Sequence, residues 1–167
     1  MVEQQEASED AVRTRIGQAV MLLHGGDREE ARNRFGLLWS ELGADGDGLH
    51  RCTLAHYMAD TQDDPGDELA WDLRALTAAE GLLGGERPAG HRGSSAVQAL
   101  YPSLHLNLAA DYLKLQRPDA ARIHLRQARD AADALEDGGS GAHGPYSGYD
   151  GGVRAAIERL ELRMRGM

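Results

Sequence analysis

Cysteine, positive charge and long apolar runs are all scarce in this sequence of 167 residues. With one cysteine, Cys52, the chain can form neither an internal disulfide nor a cysteine-based metal cluster. No apolar run approaches the roughly 20 residues that a transmembrane helix requires. Lysine and arginine together number 18 against 27 aspartates and glutamates, for a net charge of −9. Because surfaces that bind nucleic acid concentrate positive charge, we expect neither nucleic acid nor a membrane among the partners.

The remaining composition is that of a folded domain. Apolar residues make up 41% of the sequence and charged residues 27%, a balance too apolar for a charge-driven disordered chain. The length suits one hydrophobic core, so we expect a single domain over residues 1–167. The first residues are acidic and lack the pattern of an export signal. We therefore expect a cytoplasmic protein in which Cys52 is a buried thiol rather than a nucleophile.

Apolar residues recur at helical spacing in three stretches, and a polar turn divides each stretch into two helices. The stretches, with their turns, are 12–42 (Gly25 to Asp27), 49–83 (Asp63 to Gly66) and 100–135 (Arg117 to Asp119). A further apolar stripe over about 153–165 predicts one amphipathic helix at the end of the chain. The pattern therefore predicts an all-α fold of three helix pairs and a final helix.

Local signals predict where some of these helices start and stop. Asp27 is expected to be an N-cap, because an aspartate side chain accepts hydrogen bonds from the first free amides of a helix. The segments 84–95 and 137–152 are rich in glycine, which is unfavourable in a helix interior. Both segments are therefore predicted to be loops that connect helices.

Small residues recur at matching places in the first and third pairs. Ala19 is followed twelve residues later by Ala31, and Ala109 is followed twelve residues later by Ala121. A larger apolar residue comes four residues after each second alanine. Short side chains let two helices cross closely, and in this the pairs resemble the tetratricopeptide repeat, a unit of about 34 residues. The resemblance implies a right-handed superhelix of three tetratricopeptide-like pairs closed by a C-terminal capping helix.

Two longer stretches are similar to a group of small actinobacterial tetratricopeptide-like proteins. They read HRCTLAHYMADTQDDP at 50–65 and LYPSLHLNLAADYL at 100–113, and the similarity extends over about residues 25–164. That group is described by its fold, so the resemblance implies an architecture and no reaction. We accordingly expect a non-enzymatic protein without a cofactor.

Repeats of this family bind another protein or a peptide in a concave groove lined by the first helix of each pair. The resemblance implies that seven residues line such a groove: Ile16, Val20, His56, Asp60, Asn107, Asp111 and Lys114. Ile16 and Val20 stand where the family's carboxylate clamp has lysine and asparagine. We therefore expect an apolar anchor at these two positions and no clamp. The polar members equally fit a plain solvated helix face.

Self-association is a second function that the sequence leaves open. Residues 45–72 are strongly acidic, whereas Arg122, Arg126 and Arg129 follow one face of a predicted helix. Such an asymmetry can pair two copies of a chain in opposite orientation. The alternative to peptide binding is thus a structural or regulatory homodimer.

A metal- or ligand-dependent enzyme is a third function, centred on His56, Asp60 and His105. Imidazole and carboxylate groups from neighbouring helices are common ligands of zinc and similar ions. The histidines are scattered along the sequence, which is weak evidence for such a site. The HExxH pattern of zinc proteases is also absent from the sequence. We therefore expect no metal there.

Overall fold

The computed structural model of the protein describes residues 2–83, 92–137 and 147–167. In these ranges it contains seven α-helices and no strand, which confirms the predicted all-α class. The helices are α1 (Val2–His24), α2 (Arg28–Leu42), α3 (Gly48–Asp60), α4 (Pro65–Leu83), α5 (Arg92–Lys114), α6 (Pro118–Asp137) and α7 (Ser147–Arg165). None of these helices is both long enough and apolar enough to cross a bilayer.

The predicted turns coincide with helix ends, and aspartates begin three of the helices. Asp27 caps α2 as predicted, because its Oδ1 atom accepts a hydrogen bond from the backbone N–H of Glu30 at 3.3 Å. Asp47 caps α3 in the same way, and Asp64 Oδ1 accepts from two amides at the start of α4. Gly26, with φ +92°, supplies the left-handed backbone that reverses the chain after α1.

The N-terminal helix begins earlier than predicted. α1 starts at Val2 rather than near residue 12. The added residues, VEQQEASEDA, are mostly good helix formers, and each extends an existing helix by one hydrogen bond without a new nucleation cost. Because these residues are polar, the apolar periodicity that defined the prediction could not detect them.

Both predicted loops are partly helical, which corrects their bounds. α5 begins at Arg92, inside the segment 84–95, and helices enter the segment 137–152 from both ends, as α6 through Asp137 and α7 from Ser147. Glycine costs a helix only about 1 kcal/mol per residue, a preference that extension of an adjoining helix can outweigh. The rest of both loop predictions, 84–91 and 138–146, lies outside the described residues.

The helices form two compact units, a first unit of Met1–Gly81 and a second unit of Leu82–Met167. Each unit has its own hydrophobic core. The expectation of one cooperative domain over residues 1–167 stays a prediction, which the number of unfolding transitions measures.

In the first unit, α1 and α2 are joined by a short turn and pack together, and α3 packs against both of them. Ala19 and Ala31 are fully buried in this core beside Phe35, the largest fully buried side chain of the unit. Leu54 and other apolar residues of α3 complete the core. Small side chains thus lie where the helices pack closely, as the sequence predicts.

Arginine and tryptophan side chains connect α2, α3 and α4 of the first unit. The indole rings of Trp39 and Trp71 meet edge to face, with centroids 5.2 Å apart. The guanidinium group of Arg51 lies 4.1 Å from the centroid of Trp39, and that of Arg74 lies 4.3 Å from the centroid of Trp71. Arg51 also donates a hydrogen bond to the carbonyl oxygen of Gly43, so the row of four side chains is fixed at one end.

In the second unit, α5 and α6 form a helical hairpin and α7 packs against both. Ala109 and Ala121 are fully buried in this core, together with Ile157 of α7. The predicted apolar stripe of the last helix, which includes Ile157 and Met164, therefore lies in the core as expected. Two hydrogen bonds of 2.7 and 2.6 Å from Arg129 to the carboxylate of Glu161 further join α6 to α7.

We expect the substitution Ala19→Leu to destabilise the first unit. Position 19 is fully buried between helices, so a leucine would have to displace its neighbours. Overpacking of this kind costs about 1–3 kcal/mol. Urea unfolding followed by circular dichroism measures the loss, and Ala11→Leu at an exposed site of the same helix is the matched control. Equal stability of the two variants would contradict the close packing of α1 and α2.

Candidate functional site

The structure places the two apolar site candidates, Ile16 and Val20, at the core of the first unit. Ile16 is only 6% exposed and belongs to the core cluster that contains Ala19 and Phe35. Val20 is half-buried and packs against the same cluster. The side chain of Ile16 therefore contributes to the interior, and Val20 is the one of the two with surface to offer a partner.

The polar candidates of the first unit lie four residues apart on α3. Asp60 is exposed, and the half-buried imidazole of His56 meets the ring of Tyr57 edge to face, with centroids 5.4 Å apart. Burial lowers the pKa of His56, and the neighbouring Asp60 carboxylate opposes this effect. Since desolvation is the larger influence, a neutral imidazole beside an exposed carboxylate is the form expected at neutral pH.

The polar candidates of the second unit lie on α5 but differ in exposure. Lys114 is exposed and Asn107 is half-buried, whereas Asp111 is only 1% exposed. A carboxylate withdrawn from water in this way is not part of a plain solvated face. The polar stripe predicted from the sequence is therefore a mixed surface, with Lys114 as its accessible end.

The most unusual polar feature of the second unit is a pair of histidines, His105 on α5 and His124 on α6. Their Nδ1 atoms are 3.1 Å apart, a hydrogen-bond distance in which one ring carries the proton and the other accepts. The ring planes are inclined by 22° and the centroids are 5.4 Å apart. The centroid separation equals the distance between the nitrogens plus about one ring radius on each side. The two nitrogens therefore lie on the line between the centroids, and the rings meet edge to edge in nearly one plane.

Helix packing brings the two histidines together. His105 lies four residues before Ala109, and His124 lies three residues after Ala121, so each is about one turn from the buried alanine of its helix. α5 and α6 run in opposite directions because the turn between them is short; Gln116, with φ 59°, reverses the chain there. The same side of the hairpin therefore presents both imidazoles.

Each histidine of the pair also stacks on a tyrosine. Tyr101 stacks on His105 with centroids 5.8 Å apart and ring planes 28° apart. Tyr112 stacks on His124 with centroids 5.4 Å apart and ring planes only 10° apart. The four aromatic rings thus restrain one another, and we refer to Tyr101, His105, His124 and Tyr112 as the histidine cluster.

The environment of the cluster favours neutral imidazoles. Burial, and secondarily the neighbouring His124, lower the pKa of His105 to about 4. Burial also lowers the pKa of His124. Both rings are therefore uncharged at neutral pH, and the lone pair of one Nδ1 accepts the hydrogen bond from the other.

The sequence interpretation missed His124 altogether. It named His105 as a partner for His56 and Asp60, but these two residues belong to the first unit, whereas the nitrogen of His105 faces His124 in the second. The signal that could have identified the pair was the register of the hairpin. Residues placed symmetrically about Ala109 and Ala121 face each other, and the two histidines are so placed.

The thiol of Cys52 is buried, as predicted. Burial raises its pKa to about 12, so the thiol keeps its proton at neutral pH. A thiolate is the reactive form of cysteine, and this environment disfavours it.

Charged residues of α6 contribute to packing within the second unit. Of the basic residues Arg122, Arg126 and Arg129, the last binds Glu161 of α7 and the first lies 3.0 Å from Asp119 of its own helix. The stripe that the sequence suggested for steering a partner is thus partly used inside the unit. Arg126 remains exposed on α6.

Comparisons of the chain with models of protein families, with curated proteins and with solved structures found no match.

We expect His105 to make stability depend on pH below neutrality. Its pKa is about 4 in the folded protein and near 6.5 when unfolded, so between these values the unfolded chain binds the additional proton. Unfolding free energy attributable to this group therefore falls by up to about 3 kcal/mol as the pH drops from 6.5 to 4. His124 acts in the same direction.

Urea unfolding of the parent protein and of His105→Gln at several pH values measures this contribution. The difference between the two proteins isolates the histidine from the carboxylates that also titrate in acid. The variant should lose stability less steeply with acid than the parent. Parallel pH profiles would show that His105 has an ordinary pKa.

Proposed function

We propose that the protein is a non-enzymatic scaffold that binds another protein or a peptide, and that its helices are tetratricopeptide-like repeats. The observation that carries this proposal is a packing relation that recurs in both units. In the first unit α3 packs on both helices of the preceding pair, and in the second unit α7 does the same. A third helix seated on a pair is the step by which helical repeats stack, and stacked repeats bind partners on extended surfaces.

Side chains of the first unit support recognition of a protein surface. Trp39 and Trp71 are only half-buried, and the guanidinium groups of Arg51 and Arg74 lie over their rings. Tryptophan and arginine are the residue types that contribute most to binding energy in protein interfaces. Rings already held in place by edge-to-face contact lose little further freedom on binding.

An exposed charge on one helix of each unit would make binding to that unit selective. Asp60 on α3 and Lys114 on α5 are exposed, each in its own unit. A ligand that contacts either residue would need a group of opposite charge at that point. Exposed charges act mainly on the rate and the specificity of association, so their reversal is a sensitive test.

We expect Lys114→Glu and Asp60→Arg to weaken the binding of peptides selected from a displayed library against the parent protein. A charge reversal places like charges together, and a tenfold or greater rise in Kd, about 1.4 kcal/mol, is the expected result. Calorimetry on the selected peptides measures it. Arg126→Glu is the matched control, because it reverses one exposed positive charge in the second unit on a different helix, α6.

Two results would contradict this proposal. One is a library selection that enriches no peptide above background. The other is an equal rise in Kd for Lys114→Glu and the control Arg126→Glu, since both variants make the net charge more negative by the same amount and an equal effect would indicate a general effect of net charge. Neither result depends on the chemistry of the histidine cluster.

Self-association is a second candidate, favoured by large apolar side chains that remain exposed. Leu162 of α7 is 64% exposed and Ile123 of α6 is 49% exposed, both in the second unit. Contiguous apolar patches are typical of surfaces that pack against another copy or another protein, and the dimer would require Leu162 and Ile123 to lie in one such patch. A homodimer through this region would be stabilised by their removal from water.

We expect Leu162→Glu to convert such a dimer to a monomer, with light scattering after size exclusion as the measurement. The parent protein would elute at about twice 18.1 kDa, and the exposed substitution Arg159→Glu on α7 would leave that mass unchanged. Raising the salt concentration distinguishes a dimer held by apolar contacts from one held by contacts between acidic and basic faces. The apolar contacts persist at high salt, whereas the charged contacts weaken. A parent protein that is monomeric at every concentration contradicts the dimer.

A further inference from the structure

The separation of the two histidine nitrogens fits two ligands of one metal ion. Zinc–imidazole bonds are about 2.0–2.1 Å long, so nitrogens 3.1 Å apart subtend about 100° at a shared ion. That angle lies between those of octahedral and tetrahedral coordination. The Nδ1 atoms of His105 and His124 therefore already have the spacing that chelation requires.

The ring orientation needs a modest adjustment to admit an ion. The rings now meet edge to edge, with their lone-pair directions along the line that joins the nitrogens. To direct its lone pair at an ion beside that line, each ring would have to turn by roughly 40°. The turn takes place around the bond from the side chain to the ring, a torsion that is broad and soft in histidine. His124 is half-buried and stacks on Tyr112, so this turn also has to move its ring against that of the tyrosine.

The packing of the helices restrains the distance between the two histidine nitrogens but does not determine which ion binds. α5 and α6 pack through Ala109 and Ala121, and Tyr101 and Tyr112 stack on the two imidazoles. Stacking limits the freedom that each imidazole would lose when an ion binds.

We propose that His105 and His124 form a binding site for one divalent ion of the late first transition series, such as zinc, nickel or copper. Imidazole nitrogen suits these ions, whereas magnesium and calcium prefer oxygen ligands. Two protein ligands leave further coordination positions for water or for an external ligand. The site goes beyond the peptide-binding function and is independent of it.

The sharpest test follows the ring tautomers of the parent protein. In the metal-free pair one imidazole carries its proton on Nδ1, because the other Nδ1 accepts the hydrogen bond. When an ion binds both Nδ1 atoms, both rings must carry their protons on Nε2. Ring nitrogen NMR spectra recorded during titration with zinc chloride should show, at one equivalent of zinc, that one histidine moves its proton from Nδ1 to Nε2 and that the Nδ1 resonances of two histidines shift on coordination.

The same spectra would also show either of two results that overturn the proposal. If one of the two rings still carries its proton on Nδ1 at saturating zinc, the pair of His105 and His124 is a hydrogen bond and not a metal site. If the nitrogen resonances of other histidines move instead, zinc binds elsewhere. Because these spectra use the parent protein, no variant has to fold for the test to decide.

Variants provide a second, quantitative test. His124→Gln removes one ligand at a half-buried position, and we expect the zinc affinity measured by calorimetry to fall about tenfold or more. His24→Gln, at an exposed position on α1, is the matched control and should bind zinc as the parent does. Magnesium chloride should give no heat of binding with any of the three proteins. Equal zinc affinity in His124→Gln and the parent would refute the assignment.

Discussion

Close approach of paired helices at small side chains is the constraint on which the rest of this structure depends. Ala19 and Ala31 are fully buried in the first unit, and Ala109 and Ala121 are fully buried in the second. No larger side chain could occupy these positions at the same interhelical distance. The third helix of each unit then packs on a pair whose spacing has already been determined. The core alanines thus determine where the polar side chains about one turn away must lie.

The same geometry has different chemistry in the two units. His105 lies four residues before Ala109, and His124 lies three residues after Ala121. The Nδ1 atoms of these two histidines are 3.1 Å apart. The corresponding residues of the first unit are Arg15 and Arg34, both exposed and ion-paired to glutamates at 2.6 and 2.9 Å. Two arginines repel each other and remain in water, whereas two neutral imidazoles can meet through a hydrogen bond. The histidine pair is thus a property of the side chains at these positions.

Much of the fold was predictable because the signals are local. Asp27 and the glycines before it predict a turn from residues adjacent in sequence, and the alanine spacing predicts which face of each helix is buried. Helix starts were less predictable, since polar residues such as those after Val2 extend a helix without any apolar period. The partner of His105 could not be read from spacing along one helix, because it lies across a hairpin on α6.

The net charge of −9 does not describe the local electrostatics of the second unit. Arg129 binds Glu161, and Arg154 lies within ion-pair distance of both Asp133 and Glu136, so arginines at the junction of α6 and α7 are neutralised by acids of the facing helix. Such pairs add little stability individually, but they fix which way a helix faces. With α7 oriented in this way, Ile157 points into the core, and Leu162 is left on the surface because it lies on another side of the same helix. The exposed leucine is therefore a consequence of how the last helix docks.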